Sequence, residues 1–378
     1  MLSSIRPIRP AEVMKLRLLA CVCLAATVLC LNGCQEAPWP VSEIRTSHLW
    51  QQHPDNPIIR MGDMRTHGNW NDPSVLKENG YVMYMTTNEG KPFETPVLPF
   101  RAVSRDGVHW RLSPKTPLLS NQGTDFVKIE TPSVVKFQDR YHMFFTGVYS
   151  EGQVPTMAIG HGISSNGIHW KLSNGGKPVL AGTGTVSDWN GYAVAEPGAV
   201  VFNDKIYVYY GATGARTSGR PPQLQVIALA TTTDGVHFSP SQIVLRQDEQ
   251  LYPPEQGYCG YSTPSALVVD DNVHLFFDVA QFRKGANPEW VQVALDHATS
   301  KDGLNFVLDD LAIVKRGEQP WIMTEVRSPA LLLEGDQVKM WYAGHGEMSR
   351  VMHDMLKVGK SKVFGIGYAT IDKRHLSN

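Results

Sequence analysis

An all-β chain of repeated four-stranded units is predicted by three features of the sequence. A short motif, one small or acidic residue followed by Pro and an apolar strand, occurs five times. A second motif, a Gly-containing turn before an aromatic strand, falls between its copies. Helical periodicity is nearly absent, the stretch around Met348–Leu356 being the one place that suggests it.

The first motif begins at Asp72-Pro73, Thr131-Pro132, Glu196-Pro197, Thr263-Pro264 and Ser328-Pro329, at spacings of 59, 65, 67 and 65 residues. Each copy continues through an apolar strand into a polar turn, such as Gln138-Asp139, Asn203-Asp204 or Asp270-Asp271. A second strand rich in aromatics follows, as in Tyr81-Val82-Met83-Tyr84 or His274-Leu275-Phe276-Phe277. The second motif is Asp106-Gly107-Val108-His109-Trp110, repeated from Asn166, Asp234 and Asp302. Asp-Gly and Asn-Gly between apolar runs signal hairpins. Each unit therefore holds about four antiparallel strands, and such units arranged in a ring make a β-propeller.

The fifth copy lacks the second motif, and its missing strand lies upstream. Trp50 precedes Pro57-Ile58-Ile59 by the spacing that separates Trp110 from Pro117-Leu118-Leu119. Residues from about Trp50 to Arg60 are thus expected to complete the last blade and close a five-bladed ring, which removes exposed sheet edges. A β-sandwich of similar size would not need five matched units.

Ahead of this domain, Arg6, Arg9, Lys15 and Arg17 precede an apolar run, Leu18–Leu31, that ends in Leu31-Asn32-Gly33-Cys34. That run is shorter than the roughly 20 residues a membrane span needs, and it reads as a signal peptide over 1–33 with a lipidation motif. The stretch resembles bacterial lipoproteins, which implies that Cys34 carries the lipid and anchors an exported chain to a membrane. The expected order is signal peptide 1–33, linker 34–49 and propeller 50–378. The expected location is the outer membrane, at its periplasmic or cell-surface face.

Four of the five cysteines, Cys21, Cys23, Cys30 and Cys34, lie in the targeting segment that ends at the lipidation motif, leaving Cys259 alone in the body. One cysteine makes neither a disulfide nor a zinc site, so no metal or cofactor is expected. The net charge is −1 with no run of like charges, which argues against nucleic acid as a partner. A monomer that meets a carbohydrate is the expectation.

The innermost strand of each propeller blade lines the central channel, so Asp72, Thr131, Glu196, Thr263 and Ser328 should converge. Packing alone would favour the small hydroxyl residues of copies two, four and five; the acids in copies one and three need another reason. Paired carboxyls are the tools of glycoside hydrolysis, one giving a proton to the leaving oxygen and the other attacking or activating water.

Trp70-Asn71-Asp72-Pro73-Ser74-Val75 resembles the first-blade motif of the five-bladed glycoside hydrolases of families 43 and 32, and the likeness spans roughly Trp50 to Ile371. It implies that Asp72 is the general base or nucleophile and that Glu196 is the general acid. Those families place an Asp in blade two, where it tunes the acid or holds a sugar hydroxyl; this chain has Thr131 there, with Glu130 one residue earlier. Side chains alternate along a strand, so Glu130 joins the site as a third candidate only if the strand bulges there. Phosphorylases of family 130 share the architecture. A glycoside hydrolase acting on a poly- or oligosaccharide leads, with a glycoside phosphorylase and a non-catalytic glycan-binding lipoprotein as alternatives.

Candidate substrate contacts are Trp70, Asn71, Trp189, Tyr261, Arg327 and Glu325, with Tyr192, Trp321 and Asp188 nearby; for each ring, core packing is an equal reading. Arg327 can bind an acidic sugar or pair with Glu325. His67, His161 and His345 read as structural, and His109, His169 and His237, at matching positions, as packing residues.

Overall fold

The computed structural model describes residues 43–65, 68–88, 97–185, 187–214, 225–283, 289–347 and 362–376. The expected signal peptide, Cys34, His67 and the Met348–Leu356 stretch lie outside these residues. The chain divides into one unit of 40–282 with 290–378 and another of 1–39 with 283–289. Of the second, only Arg283 and Glu289 are described, as strand ends. Among the described residues there is no α-helix, and no helix is long and apolar enough to cross a membrane.

Strand β1 (Gln51–Gln52) comes first and pairs late. β2 (Asn71–Glu78), β3 (Gly80–Asn88), β4 (Val97–Ser104) and β5 (Arg111–Leu112) form an antiparallel meander. In the next, β6 (Lys128–Phe137) and β7 (Arg140–Val148) lead to β8 (Met157–Ser164), which pairs with both β9 (Lys171–Leu172) and β10 (Leu180–Ala181). β11 (Ala193–Phe202), β12 (Lys205–Thr213), β13 (Val226–Thr232) and β14 (Gln242–Leu245) follow, tied to β8 by a single parallel bridge, Ala193 to Met157. β15 (Tyr258–Val269) and β16 (Asn272–Arg283) then lead to β17 (Glu289–Ser300), which pairs with β18 (Val307–Leu308) and β19 (Val314–Lys315). Last come β20 (Glu325–Glu334), β21 (Gln337–Glu347) and β22 (Lys362–Asp372), with β1 on the outer edge of β22.

Local chemistry explains the hairpins. Gln138-Asp139, Asn203-Asp204 and Asp270-Asp271 all have positive φ at both residues, between 48° and 63°, the geometry of two-residue turns that match strand twist. The second strands are buried on both faces, because neighbouring sheets pack against them. Their sequences accordingly read as unbroken apolar runs rather than alternation.

The Asp-Gly motif makes a longer turn. Asp106 Oδ1 accepts the N–H groups of Val108 and His109 at 2.9 and 2.8 Å, while Ser104 Oγ accepts those of Asp106 and Gly107. The same pattern recurs at Asn166, Asp234 and Asp302. This corrects one expectation: His109 and His237 are exposed, and each binds the carboxylate of its own turn through Nδ1. His169 is exposed as well. Their repetition reflects turn closure, not packing.

Gln51 and Gln52 register with Thr370 and Ala369. Asn56 extends that pairing with its side-chain amide, accepting from Tyr368 N–H at 2.8 Å and donating to Tyr368 C=O at 3.1 Å. Residues 43–49, expected as linker, lie against 312–318. Ile44 is core, Thr46 bridges Ala312, and Lys315 donates to Ile44 C=O.

The first strands pack side by side in the order β2, β6, β11, β15, β20, and β20 also packs against β2. Between them lies a channel of about 330 Å³, lined from Asp72, Thr131, Thr263 and Ser328 at one end to Leu76, Lys136, Val201, Ala266 and Leu332 at the other.

Candidate active site

Every copy of the X-Pro motif folds as a β-bulge. The register slips by one residue between Asn71 and Ser74, Glu130 and Ser133, Ala195 and Gly198, Ser262 and Ser265, and Arg327 and Ala330. Proline has no N–H to give the ladder, and the residue before it turns left-handed. Asp72, Thr131, Glu196, Thr263 and Ser328 have φ of 52°, 46°, 56°, 46° and 53°. For β-branched Thr131 and Thr263 this is a strained conformation, costing about 1–3 kcal/mol each. A bulge re-aims side chains; Asp72, Thr131, Thr263 and Ser328 line one end of the channel, and Glu196 is tied to them through the Thr263 N–H.

Asp72 is buried and accepts two hydroxyl hydrogen bonds, from Thr86 to Oδ2 at 2.7 Å and from Ser328 to Oδ1 at 2.9 Å. Ser328 Oγ in turn accepts from Arg327 Nε at 3.3 Å. The other end of the same guanidinium pairs with Glu196 Oε1 at 3.2 Å, and Glu196 Oε2 accepts the Thr263 N–H at 3.1 Å. One continuous chain of polar contacts therefore joins the two candidate carboxyl groups. The Glu196 N–H donates to Thr146 Oγ1 at 2.7 Å, and Thr146 and Thr131 share a short hydroxyl contact.

Burial raises the Glu196 carboxyl above its ordinary range, opposed by the Arg327 charge and the Thr263 N–H and reinforced by Asp72. Burial also works against the Arg327 charge, but the carboxylates of Asp72, Glu196, Asp278 and Glu325 more than offset it and hold the guanidinium protonated. Arg327 is thus already engaged by protein carboxylates.

The bulge at 130–133 brings Glu130 into the same electrostatic field. Its carboxyl is raised by burial first, lowered by Lys128 at 3.7 Å, and raised again by Asp72 and Glu196. Its side chain keeps 29% exposure.

The other candidates divide. Asn71 stands across from Thr86 with its Oδ1 buried and unpartnered. Glu325 is buried against His345, Oε2 to Nδ1 at 2.8 Å. Trp70 and Tyr261 are wholly buried, which corrects their reading as sugar platforms. The Trp70 indole donates to Asp63 C=O and meets Phe100 edge-on, while Tyr261 packs among Tyr252 and Phe277 and its hydroxyl accepts the Asp248 N–H. Trp189 packs half-buried on the core between the second and third meanders, and Trp321 packs on Tyr342. Asp188 caps its own loop by accepting from Thr183. His161 is buried against His142 and Phe144, a structural placement.

One residue is not singled out by the sequence pattern. Asp278 on β16 is fully buried beneath the fourth bulge, where its Oδ1 accepts from Ser262 Oγ at 2.5 Å. Its position matches Thr86, Thr146, Gly211 and Ala343, each opposite the residue that precedes an X-Pro pair. Aligning the second strands as well as the first exposes this acid.

No protein-family profile and no curated protein matches the sequence. Solved structures do share its fold. A β-1,2-mannobiose phosphorylase from Listeria innocua superposes with a TM-score of 0.60 at 12% identity, over 86% of this chain and 98% of that one. An N-acetylgalactosamine deacetylase from F. plautii, solved with blood group B trisaccharide, gives 0.59 at 17% identity over 88% and 96%. A thermostable family-43 glycoside hydrolase gives 0.58 at 13% over 79% and 89%. The chain has the β-propeller fold of these proteins. At such identities the likeness is one of fold, and a fold hosts several chemistries.

Proposed function

We propose that the chain is a glycoside hydrolase acting on a poly- or oligosaccharide, built on a five-bladed ring that β1 closes by completing the last blade. The observation that carries the reading is the continuous contact chain Thr86, Asp72, Ser328, Arg327, Glu196, Thr263 at one end of the channel. Two acids replace hydroxyl residues at otherwise equivalent bulges, and both are held by donors that fix their orientation. In this reading Asp72 directs water, or itself, at the anomeric carbon, and Glu196 protonates the leaving oxygen. Arg327 then stabilises the carboxylate that Glu196 becomes. Glu130 and Asn71 face the sugar beside them.

The test is a screen of the domain from Gln35 onward against aryl glycosides and plant, algal and bacterial polysaccharides, with and without inorganic phosphate. Asp72→Asn should lower turnover by about 10²–10⁴-fold, the range general acid–base groups supply, and keep the fold. Activity surviving that change removes Asp72 from the mechanism. Phosphate-dependent turnover makes the protein a phosphorylase, and glycan binding without turnover makes it a binding protein.

The leader motif supports an exported, membrane-anchored chain. Labelled palmitate should be incorporated into the wild type and lost in Cys34→Ser; equal labelling of both would refute lipidation at Cys34.

A further inference from the structure

Glu196 carries its carboxyl on a backbone that its own sequence disfavours. Its φ is 56°, in the left-handed region, whereas the residue before a proline is biased toward extended conformations. Such a residue keeps one direction only where its surroundings fix it. The ladder of β11 gives no help, because the register slips between Ala195 and Gly198 and leaves Glu196 without a cross-strand partner. What holds it comes from another unit.

That holder is Thr146 on β7, in the second unit. Its Oγ1 accepts the Glu196 N–H at 2.7 Å, and the residue is 2% exposed. The Thr146 hydroxyl is held in turn by its short contact with Thr131, which is buried as well. A hydroxyl accepts and donates at once, so Thr146 can take the Glu196 N–H while it gives its own proton to Thr131.

The same device recurs at the next two boundaries. The Thr263 N–H, on another left-handed residue before a proline, is held by Glu196 Oε2 at 3.1 Å, and the Ser328 N–H lies 3.4 Å from Asp278 Oδ2. In each case a side chain of one unit holds the bulge of the following one. Thr146 and Asp278 do so from the second strand, opposite the residue that precedes an X-Pro pair. In the third unit that place is Gly211, and a Cβ there would stand 3.3 Å from Glu196 Oε2. Glu196 fills the place that a second-strand side chain has in its neighbours, so it is held by one latch and forms the next.

We propose that Thr146 is a positioning residue for the reaction: by taking the Glu196 N–H it fixes the backbone turn that aims the acid, and Thr131 keeps its hydroxyl in place. The proposal rests on the reading of Glu196 as proton donor. Thr146 acts through the Glu196 backbone and touches no reacting atom. Without its oxygen the left-handed turn is free to relax, the carboxyl moves with it, and a small misplacement of a reacting group slows a reaction steeply.

The first test needs no substrate. Thr146→Val keeps the shape of the side chain and removes the acceptor, while Thr146→Ser keeps the acceptor. Amide hydrogen exchange followed by NMR should be about 10-fold faster at Glu196 in Thr146→Val, relative to the amides of Val208 and Tyr209 on β12, and close to wild type in Thr146→Ser. A general loss of stability would speed all three amides alike. Exchange at Glu196 that rises no more than at Val208 and Tyr209 overturns the proposal. If Thr146→Val does not fold, Thr146→Cys takes its place, sulfur being a weak acceptor.

The second test uses the glycoside that the screen identifies, with two leaving groups. An alcohol leaves only with the acid's proton, and a dinitrophenolate leaves without it. Thr146→Val should therefore lower kcat/KM about 10-fold for the alkyl glycoside and by less than about 2-fold for the dinitrophenyl glycoside, with Thr146→Ser restoring the first. Equal losses on both overturn the proposal, since a merely loosened site slows both alike. Glu196→Gln separates the two readings. A loss confined to the alkyl glycoside supports Glu196 as donor; equal losses sink it as donor, while selective exchange at Glu196 still leaves Thr146 as the latch of that bulge.

Discussion

At the scale of single residues, two glycines of the third unit sit where a side chain would collide. A Cβ on Gly211 would lie 3.3 Å from Glu196 Oε2, so the glycine is there because the carboxylate lies over it. Gly211→Ala should displace that carboxylate by tenths of an ångström. Misplacement of a reacting group is expensive, so kcat should fall roughly 10-fold with the melting temperature nearly unchanged. Steady-state kinetics beside a thermal melt checks this, and an unaltered kcat would mean that Glu196 is not the acid. Gly198 differs in kind. Its Cβ would sit 2.0 Å from the backbone carbonyl of Pro264, so Gly198→Ala should destabilise by about 1–3 kcal/mol through overpacking, read from the denaturant midpoint.

Among elements, one contact recurs in three of the five units. Tyr84, Tyr209 and Trp341 occupy equivalent positions, and each donates to the carbonyl of a turn glycine in another unit: Gly167, Gly303 and Gly107. The matching residues in units two and four are Phe144 and Phe276, which cannot donate. There a stacked histidine pair fills the gap, His142 with His161 and His274 with His297. Burial pushes His161 down to about 3 and His274 to about 4, so both are neutral in the fold. The unfolded chain takes up protons below the ordinary histidine value of about 6.5 and the fold does not, so this contribution to stability is lost as pH falls from 6.5 toward 4. His161→Leu should lower stability at pH 8 yet flatten its decline between pH 6.5 and 4.5. Denaturation curves at the two pH values decide it; an unchanged slope would mean that His161 is protonated in the fold.

For the whole molecule, the two ends of the domain share one sheet. β1 lies on the outer edge of β22, and Trp50, 8% exposed, meets Phe276 edge-on at 6.0 Å across the boundary with the fourth unit. Trp50→Ala should cost about 3–5 kcal/mol, as large core truncations do. Removing residues up to 58 should do more, because it also bares the β22 edge to pairing with other chains. Chemical denaturation and light scattering measure the two effects, and a truncated chain that stays monomeric at wild-type stability would refute the proposed closure.

The amino-acid sequence alone determined the repeat, the strand order within each unit, the turns and the upstream strand beside β22, because these depend on local periodicity and on residues with fixed backbone habits such as Pro, Gly and Asp. It also singled out Asp72 and Glu196, as acids where the repeat otherwise has hydroxyls. Only the tertiary structure decided the rest. Glu130 enters the field of Asp72 because the strand bulges at Thr131, whose left-handed backbone no local propensity announces. Trp70 and Tyr261 are core because neighbouring sheets cover them. Asp278 enters the electrostatic field of Glu196, 82 positions away in sequence, because a second-strand position of one unit and a first-strand position of another come near each other, and that follows from how the sheets pack rather than from any local pattern.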